Sequence, residues 1–366
     1  MFHNIRILAE HHNVRVITFF ENEQERELVR SLEDVCESVT AVQRVPDFSP
    51  HWLSLSPFLV REFSTPRMHE TVAAAFQAKK VDVLQCEYLQ MAQYWRRQVF
   101  TILTIIETAA PNVYDAFRRE TNPLEKLRLF YRWMSVMRYE VLQSRKFDRV
   151  VTMTEHDANY LRSYTPGADI RSIPIGIDAN EFTPRPEVPD LAPQVLFLGN
   201  FRHTPNLEAA EFLVRRIAPE FPELKFTISG PNLEKDLNPA PNVVLAGFVE
   251  DTRILYRRPQ TIVATPLFSG TGQRVKLLEA FAMGCPVITS SIGALGYPIR
   301  NGVDALIADT AEDFAAALRR LIASPELRRQ LGANGREMIL RHFTWRQLGA
   351  QFLALVEGAP HSAPSC

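Results

Sequence analysis

Apolar residues in the first half of the chain form short runs that alternate with amphipathic segments. The runs predict strands at residues 14–19, 39–45, 81–86, 99–106 and 150–153, and the segments between them predict helices at 23–38, 71–79, 123–145 and 155–163. In the predicted helix 23–38, Leu28, Leu32 and Val35 share one face. Strands separated by helices need crossover connections, so this order predicts a parallel sheet covered on both faces.

A proline-rich stretch at residues 174–193 interrupts this alternation and predicts a stiff connector. Beyond it the pattern restarts, with strands predicted at 195–199, 225–229, 243–246, 261–267 and 286–289 and a helix at 206–217. We therefore predict a first domain at 1–182, a second at 183–345, and a C-terminal helix and tail at 346–366. Ligands bind in clefts at the carboxyl ends of such strands.

The segment after strand 261–267 carries the densest candidate chemistry of the chain. It reads as a glycine turn at Gly270 and Gly272, an amphipathic helix, and a second glycine break before the next strand. A glycine turn that opens a helix presents unpaired backbone N–H groups and a positive dipole end, which favours a diphosphate. Arg274 and Lys276 add cations beside this place, and Glu279 adds an acceptor. The alternative is an ordinary strand–helix turn.

The string from Gly270 to Glu279 resembles the donor-sugar signature of the retaining GT-B glycosyltransferases, of the glycosyl transferases group 1 (family 4) type. In that family two glutamates flank seven residues, the first contacting the donor sugar and the second the ribose. Here Glu279 matches the second, while Thr271 stands in place of the first. The stretches 147–157, 173–178, 195–202 and 247–251 also resemble family motifs, so the match covers residues 140–350. The resemblance implies two Rossmann-like, doubly wound α/β domains facing a cleft.

This resemblance also implies a nucleoside diphosphate sugar as donor substrate, with no cofactor and no metal. The implied donor-binding residues are Gly199, Arg202, Phe248, Gly270, Thr271, Gly272, Arg274, Val275, Lys276 and Glu279. Among these, Arg202 matches a phosphate-contacting arginine, and Lys276 replaces a lysine that the family places shortly after that arginine.

Three of the implied donor residues have alternative interpretations. Lys276 could be a solvated lysine in the first turn of a helix, although a cation there is unfavourable without an anion. Glu279 could be a surface glutamate, but its apolar neighbours make a lone carboxylate costly and favour a paired role. Phe248 either stacks on the nucleobase or fills the core.

The first domain departs from the family in two places. Where the family has a histidine that contacts the transferred sugar, this chain has Glu107 and Thr108. Glu107 and Thr271 are therefore the candidate catalytic residues, with a capping or turn role as the alternative for Glu107. Family members also begin with a strand and a glycine-rich loop, whereas this chain opens on a helix-like pattern, so we expect the first domain to lack both.

Composition excludes several classes of protein. The 366 residues are 46% hydrophobic with a formal net charge of −1, which gives no general attraction to nucleic acid. The longest apolar run, 99–106, is too short to span a membrane, and the chain opens without a signal-peptide pattern. The four cysteines lack metal or disulfide spacing. These features predict a cytoplasmic protein.

Residues 118–149 carry more basic than acidic side chains, on helices that also hold Leu124, Leu127, Phe130, Trp133 and Met137. Two alternatives stand for this region. One is a helix at the inner surface of a membrane, since lipid-linked acceptors are common in the family. The other is a core helix with a solvated basic face.

We interpret the sequence as that of a bacterial retaining glycosyltransferase. It would move a sugar from a nucleoside diphosphate sugar to a saccharide or lipid-linked acceptor, in cell-envelope or exopolysaccharide synthesis. The alternative is a truncated or catalytically dead paralogue that binds nucleotide sugar without turnover. A GT-B epimerase would need acidic residues in the first domain that the sequence does not identify.

Overall fold

The computed structural model describes residues 2–44, 56–184, 191–233, 237–258 and 260–358. The chain divides into two compact units, Met1–Ile173 with Leu348–Cys366, and Pro174–Gln347. This division falls at 173/174 rather than at the predicted 182/183, and most of the C-terminal helix belongs to the first unit. Each unit is built on parallel β-sheet with helical crossovers, so the predicted α/β class is confirmed.

Over residues 2–44 and 56–173, the first unit contains six strands and seven α-helices before the chain enters the second unit. In chain order they are α1 (Phe2–Ala9), β1 (Arg15–Phe20), α2 (Glu23–Arg30), β2 (Ser38–Gln43), α3 (Phe58–Arg61), α4 (Pro66–Ala78), β3 (Val83–Glu87), β4 (Phe100–Ile105), α5 (Ala109–Arg119), α6 (Pro123–Lys146), β5 (Arg149–Thr152), α7 (Glu155–Tyr164) and β6 (Ile170–Ser172). Strands β1 and β2 form one parallel pair, and β3, β4, β5 and β6 form a second parallel sheet in that order. Its two central strands are almost wholly buried, β5 at all of its residues and β4 at all but Phe100, as expected of central parallel strands.

The described strands of the second unit form a six-stranded parallel sheet. The elements of this unit are β7 (Gln194–Leu198), α8 (Thr204–Phe212), β8 (Lys225–Ser229), β9 (Val243–Gly247), α9 (Arg253–Tyr256), β10 (Thr261–Thr265), α10 (Val275–Ala282), β11 (Val287–Thr289), β12 (Leu306–Ile307), α11 (Ala311–Ala323) and α12 (Pro325–His342). The strand order is β12-β11-β10-β7-β8-β9. Large apolar residues such as Phe197, Phe226 and Phe314 are fully buried against this sheet.

The last helix, α13 (Trp345–Glu357), returns the chain to the first unit. The buried guanidinium of Arg149 donates to the carbonyl oxygen of Leu355 and, through Nε, to Asp169 at 2.9 Å. A Cβ on Gly349 would lie 3.4 Å from Ile7 Cδ1, so α13 also approaches α1 closely. These contacts explain why the C-terminal helix groups with residues far from it in sequence.

The predicted strands agree with the structure to within two residues at each end, although residue 45 lies outside the described part. The predicted helix 23–38 is wrong in length. It ends at Arg30, Leu28 is 72% exposed, and the chain turns so that Ser38–Gln43 can pair with β1. The predicted helix 206–217 begins at Thr204 and changes to a π-turn at Leu213–Ile217.

The predicted connector is part of the second unit where it is described. The Ile177 N–H donates to the Phe343 carbonyl at 2.8 Å, and the Ile177 side chain is buried in the core beside α10. Residues 185–190, which include Pro186 and Pro189, lie outside the described residues.

Helices α10 and α12 approach each other closely because two glycines of α12 have no side chain. A Cβ on Gly332 would lie 2.1 Å from the carbonyl oxygen of Gly284, and one on Gly335 would lie 2.5 Å from Phe281 Cδ1. The first contact is with backbone, which cannot rotate away. Glycine is therefore needed at position 332 so that the chain at the end of α10 can pack against α12.

We predict that Gly332→Ala lowers the free energy of unfolding by about 2 kcal/mol, because the overpacking cost exceeds the helix-propensity gain of about 1 kcal/mol. The control is Gly349→Ala in α13, where a Cβ meets only the mobile end of Ile7. Urea denaturation followed by circular dichroism should show Gly349→Ala unchanged or more stable. Equal midpoints for Gly332→Ala and wild type would contradict the prediction.

Candidate functional site

The strand order of the second unit creates a switch point at which a ligand can bind. Strands β7 and β10 are neighbours at the centre of the sheet, and the connections that leave them run to opposite sides of it. In open α/β sheets, the crevice outside the carboxyl ends of such strands is the usual ligand site. Here it is formed by residues 199–206 after β7 and residues 266–274 after β10.

The loop after β10 is held in shape by Arg274. Gly270 and Gly272 have φ angles of 98° and 77°, a region that favours glycine. The Arg274 guanidinium donates to the carbonyl oxygens of Gly270 at 2.8 Å and Gly272 at 3.0 Å, and also to that of Thr271. Arg274 therefore fixes the glycine turn through its carbonyl oxygens, immediately before α10 begins at Val275.

Lys276 joins this loop to the one after β7. Its Nζ donates to Asn206 Oδ1 at 2.5 Å and lies 4.6 Å from the centroid of the Phe197 ring. Asn206 in turn donates to the Asn200 carbonyl at 2.8 Å. The ammonium thus has a neutral amide as its acceptor rather than a carboxylate.

Burial lowers the pKa of Lys276 from 10.5 to about 7, with a further lowering from the Arg274 charge and a partial offset from Glu279. The geometry agrees in disfavouring a solvated surface lysine, because Lys276 is half-buried, with its ammonium on Asn206 and beside the Phe197 ring. Near neutral pH this side chain can gain or lose its charge, and an anion placed beside it would favour the charged form.

Glu279 is held by α9 and the residue before it. Its Oε2 accepts from the Tyr256 hydroxyl at 3.1 Å and lies 3.5 Å from Thr252 Oγ1. Tyr256 is fully buried, and its hydroxyl is also 3.1 Å from the Lys276 carbonyl oxygen. Burial raises the pKa of Glu279, and the Tyr256 hydrogen bond opposes that rise. The carboxylate is thus hydrogen-bonded to a tyrosine, while its expected role toward a ribose stays a prediction.

Arg202 lies at the outer side of the same crevice, on the loop after β7. Its side chain is exposed, and its Nε donates to Asn232 Oδ1 at 3.1 Å. Asn200 Oδ1 accepts from the Arg202 backbone N–H at 3.1 Å and from Asn232 Nδ2 at 3.2 Å. Two asparagines thereby set the direction of an exposed guanidinium.

The loops after β7 and β8 can meet here because the second of them carries Gly230. A Cβ on Gly230 would lie 1.7 Å from the carbonyl oxygen of Gly199. Sequence reasoning named Gly199 but missed Gly230, Asn200 and Asn232. The Ser-Gly-Pro-Asn sequence at the end of β8 could have indicated them, because it has the same strand–glycine pattern as the loop after β7.

The remaining predicted site residues have the following positions. Phe248 follows β9 and is 69% exposed, so the core-filling alternative is wrong. Val275 is 42% exposed at the first turn of α10, and Thr271 is half-buried in the glycine loop. Glu107 is exposed at the carboxyl end of β4, in the other unit.

Buried carboxyl groups lie next to Glu107 in the first unit, and sequence reasoning missed them. Glu140 of α6 accepts from the backbone N–H groups of Ala109 at 2.5 Å and Ala110 at 3.3 Å, at the start of α5. Burial raises the pKa of Glu140 to about 7. Asp157 accepts from the Thr108 hydroxyl at 2.6 Å. These acids cap and anchor the turn that carries Glu107.

We predict that Tyr256→Phe destabilises the protein by about 1–2 kcal/mol, because the half-buried Glu279 carboxylate loses its donor. Its control is Tyr164→Phe, which alters an exposed tyrosine on α7 and should leave stability unchanged. Urea denaturation at pH 8 measures both variants. If Tyr256→Phe unfolded at the wild-type urea concentration, the tyrosine would not stabilise the carboxylate.

Comparison with known proteins relates the part of the chain that carries this site to a family of enzymes. Residues 192–324 match the family model for glycosyl transferases group 1. The chain is 27% identical over 204 residues to the phosphatidyl-myo-inositol mannosyltransferase of Mycolicibacterium smegmatis, covering 52% of each chain. It is 30% identical over 230 residues to the D-inositol 3-phosphate glycosyltransferase of Saccharomonospora viridis, covering 55% of this chain and 53% of the relative. The chain thus spans about half the length of these curated relatives.

Solved structures agree on the fold. Sucrose-phosphate synthase from Thermosynechococcus elongatus superposes with a TM-score of 0.71 at 18% identity, covering 94% of this chain and 98% of that one. The Anabaena protein Alr3699/HepE, solved with UDP and glucose, gives a TM-score of 0.69 at 13% identity, covering 97% and 95%. The glycosyltransferase resemblance stated from sequence is confirmed: residues 192–324 of the second unit match the group 1 family model, and the chain has the GT-B fold. The retaining course of the reaction stays a prediction.

Proposed function

We propose that this protein is a retaining glycosyltransferase, which moves a sugar from a nucleoside diphosphate sugar to a saccharide or lipid-linked acceptor. The observation that carries the proposal is the Lys276–Asn206 contact across the switch point of a group 1 domain. It holds an ammonium without a carboxylate partner beside the glycine turn that opens α10, and a diphosphate is the anion that this arrangement fits.

Each donor-side residue has a role that follows from its position. The diphosphate would lie at the start of α10, neutralised by Lys276 and by Arg202. Both hydrogen bonds to Glu279 reach Oε2, so Oε1 would accept from a ribose hydroxyl. Phe248, exposed after β9, would stack on the base. Because the Anabaena neighbour was solved with UDP and with UDP-glucose, UDP-sugars are the first donors to test.

The reaction breaks the bond between the sugar C1 and the diphosphate oxygen and forms a bond from C1 to the acceptor oxygen on the same face. The acceptor hydroxyl gives its proton to the departing diphosphate. No protein base and no metal is then required, and the main contribution of the protein is to stabilise the charge that develops on the diphosphate. Thr271 and Glu107 remain the candidates for contacts with the reacting groups.

Relatives guide the choice of acceptor and location. Their names include a phosphatidyl-myo-inositol mannosyltransferase and the lipopolysaccharide core glycosyltransferase LpsE of Rhizobium meliloti. We therefore propose cell-envelope or exopolysaccharide synthesis, by a cytoplasmic protein that contacts the inner face of the membrane. Within the described residues, no helix has the length and apolar character needed to cross a membrane.

The second candidate function is nucleotide-sugar binding without turnover, by a catalytically dead paralogue. The observation that favours it is the turn after β4, which carries Glu107 and Thr108 where family members have a histidine. The donor side supports both candidates equally, so only a turnover measurement separates them.

Binding of UDP-glucose should weaken as pH rises from 6 to 9, because the Lys276 ammonium, with a pKa of about 7, loses its proton. We expect roughly a 10- to 100-fold loss across this range, accompanied by proton uptake on binding above pH 7. Lys276→Met should weaken binding by roughly 10- to 100-fold at pH 6 and remove most of the pH dependence. Isothermal titration calorimetry in buffers of different ionisation enthalpy measures both effects.

The matched control is Lys225→Met, which removes an exposed lysine at the opposite end of the same sheet. Its affinity and pH profile should equal those of the wild type. A Lys276→Met profile parallel to wild type would remove this lysine from the phosphate site.

Turnover should appear as release of free nucleoside diphosphate from UDP- or GDP-sugars, accelerated by a bacterial glycolipid extract. Chromatography of the nucleotides measures it, with Glu279→Ala as the comparison. We expect Glu279→Ala to lose at least tenfold in donor affinity, because a charged acceptor of the ribose hydroxyl is gone. Donor binding with no release under any condition would support the dead paralogue, and no binding of any nucleotide would overturn both candidates.

A further inference from the structure

Helix α6 presents an apolar stripe to solvent, interrupted by Arg138. Leu124, Leu127, Tyr131, Met134 and Leu142 follow the spacing of one helical face, and they are 79%, 67%, 41%, 46% and 46% exposed. The solvent-facing side of a surface helix normally carries polar residues. Here that side is apolar over most of a helix that is about 36 Å long at 1.5 Å per residue.

The stripe is a fixed feature of the first unit, since the opposite side of α6 is firmly packed. Val136, Glu140 and Ser144 face the interior, and Glu140 bonds to the start of α5. Between α5 and α6, the Trp133 ring lies 4.8 Å from that of Tyr114 and 6.4 Å from that of Phe117, measured between centroids. This aromatic layer holds α6 against α5 and leaves the leucines outside.

Positive charge surrounds the stripe. Residues 109–146 contain eight basic side chains, Arg118, Arg119, Lys126, Arg128, Arg132, Arg138, Arg145 and Lys146, and four acidic ones, Asp115, Glu120, Glu125 and Glu140. Glu140 is buried, and Glu125 lies 3.5 Å from Arg128. Because the whole chain has a net charge of −1, this excess is local.

We propose that the α6 stripe and its arginines form a docking surface for an anionic lipid bilayer, with α6 lying in the plane of the interface. Apolar side chains would enter the acyl boundary while the arginines meet the headgroups, as in interfacial amphipathic helices. The proposal rests on the membrane contact within the proposed function and deepens it by naming the surface.

Charge complementarity favours lipid over a second copy of this chain. A two-fold contact through the stripe would place Arg128, Arg132 and Arg138 of one copy against the same residues of another. Like charges facing each other oppose association, whereas an anionic surface satisfies them all at once.

Sedimentation of the full-length protein with sucrose-loaded vesicles tests the proposal. We expect binding to equimolar phosphatidylglycerol and phosphatidylcholine, at least tenfold weaker binding to phosphatidylcholine alone, and weaker binding at 0.5 M than at 0.1 M salt. Leu124→Ser with Leu127→Ser should reduce binding at least tenfold, because two apolar anchors are lost. Arg128→Gln with Arg132→Gln and Arg138→Gln should remove the preference for phosphatidylglycerol.

The matched control is Leu28→Ser with Leu340→Ser, which removes two exposed leucines from α2 and α12. It should sediment like the wild type. The proposal is overturned if the control loses as much vesicle binding as the α6 variants do. It is also overturned if both α6 variants bind vesicles like the wild type. Absence of vesicle binding would overturn it too, as would a wild-type dimer that Leu124→Ser with Leu127→Ser converts to monomer.

UDP-glucose titration without vesicles separates this proposal from the proposed function. The α6 variants should bind the nucleotide sugar like the wild type while failing to sediment. A wild type that sediments with vesicles but binds no nucleotide would leave the docking surface standing and overturn the transferase.

Discussion

The candidate site of the second unit depends on charged side chains that are hydrogen-bonded to neutral groups while largely removed from solvent. Lys276 contacts an amide acceptor and an aromatic face, Arg274 contacts three loop carbonyl oxygens, and Glu279 contacts a tyrosine hydroxyl. These neutral dipoles hold each side chain in place without cancelling its charge. Hydrogen bonds to neutral groups distinguish the surroundings of Lys276 and Glu279 from a structural ion pair with direct contact.

The sequence predicts ten of the twelve described strands, all but the short β6 and β12, and the glycine turn of one loop, because these depend on local patterns. Hydrophobic runs locate β7 and β10, and glycine spacing locates the turn before α10. The partners in the site depend on the tertiary fold. Lys276 and Asn206 are 70 residues apart, and only the strand order brings them together. The length of α2 was wrong for the same reason, since pairing between β1 and β2 outweighs helical periodicity after Arg30.

Sequence periodicity also marked α6 as amphipathic without showing which side faces the interior. Leu124 and Leu127 resemble core positions in sequence, yet the buried side of α6 carries Val136 and Glu140. Glu140 is there because the start of α5 needs an acceptor for its backbone N–H groups. The backbone N–H groups at the start of α5 thus hold the Glu140 side of α6 toward the interior, and the leucines of α6 lie on the outside.

The return of α13 to the first unit affects the order in which the two units can be completed. The second unit is one uninterrupted stretch, Pro174–Gln347, set within the sequence of the first. During synthesis all of its residues emerge before Leu355, the acceptor for the buried Arg149. The unit that begins first is therefore finished last, and until then the guanidinium of Arg149 lacks one of its two acceptors.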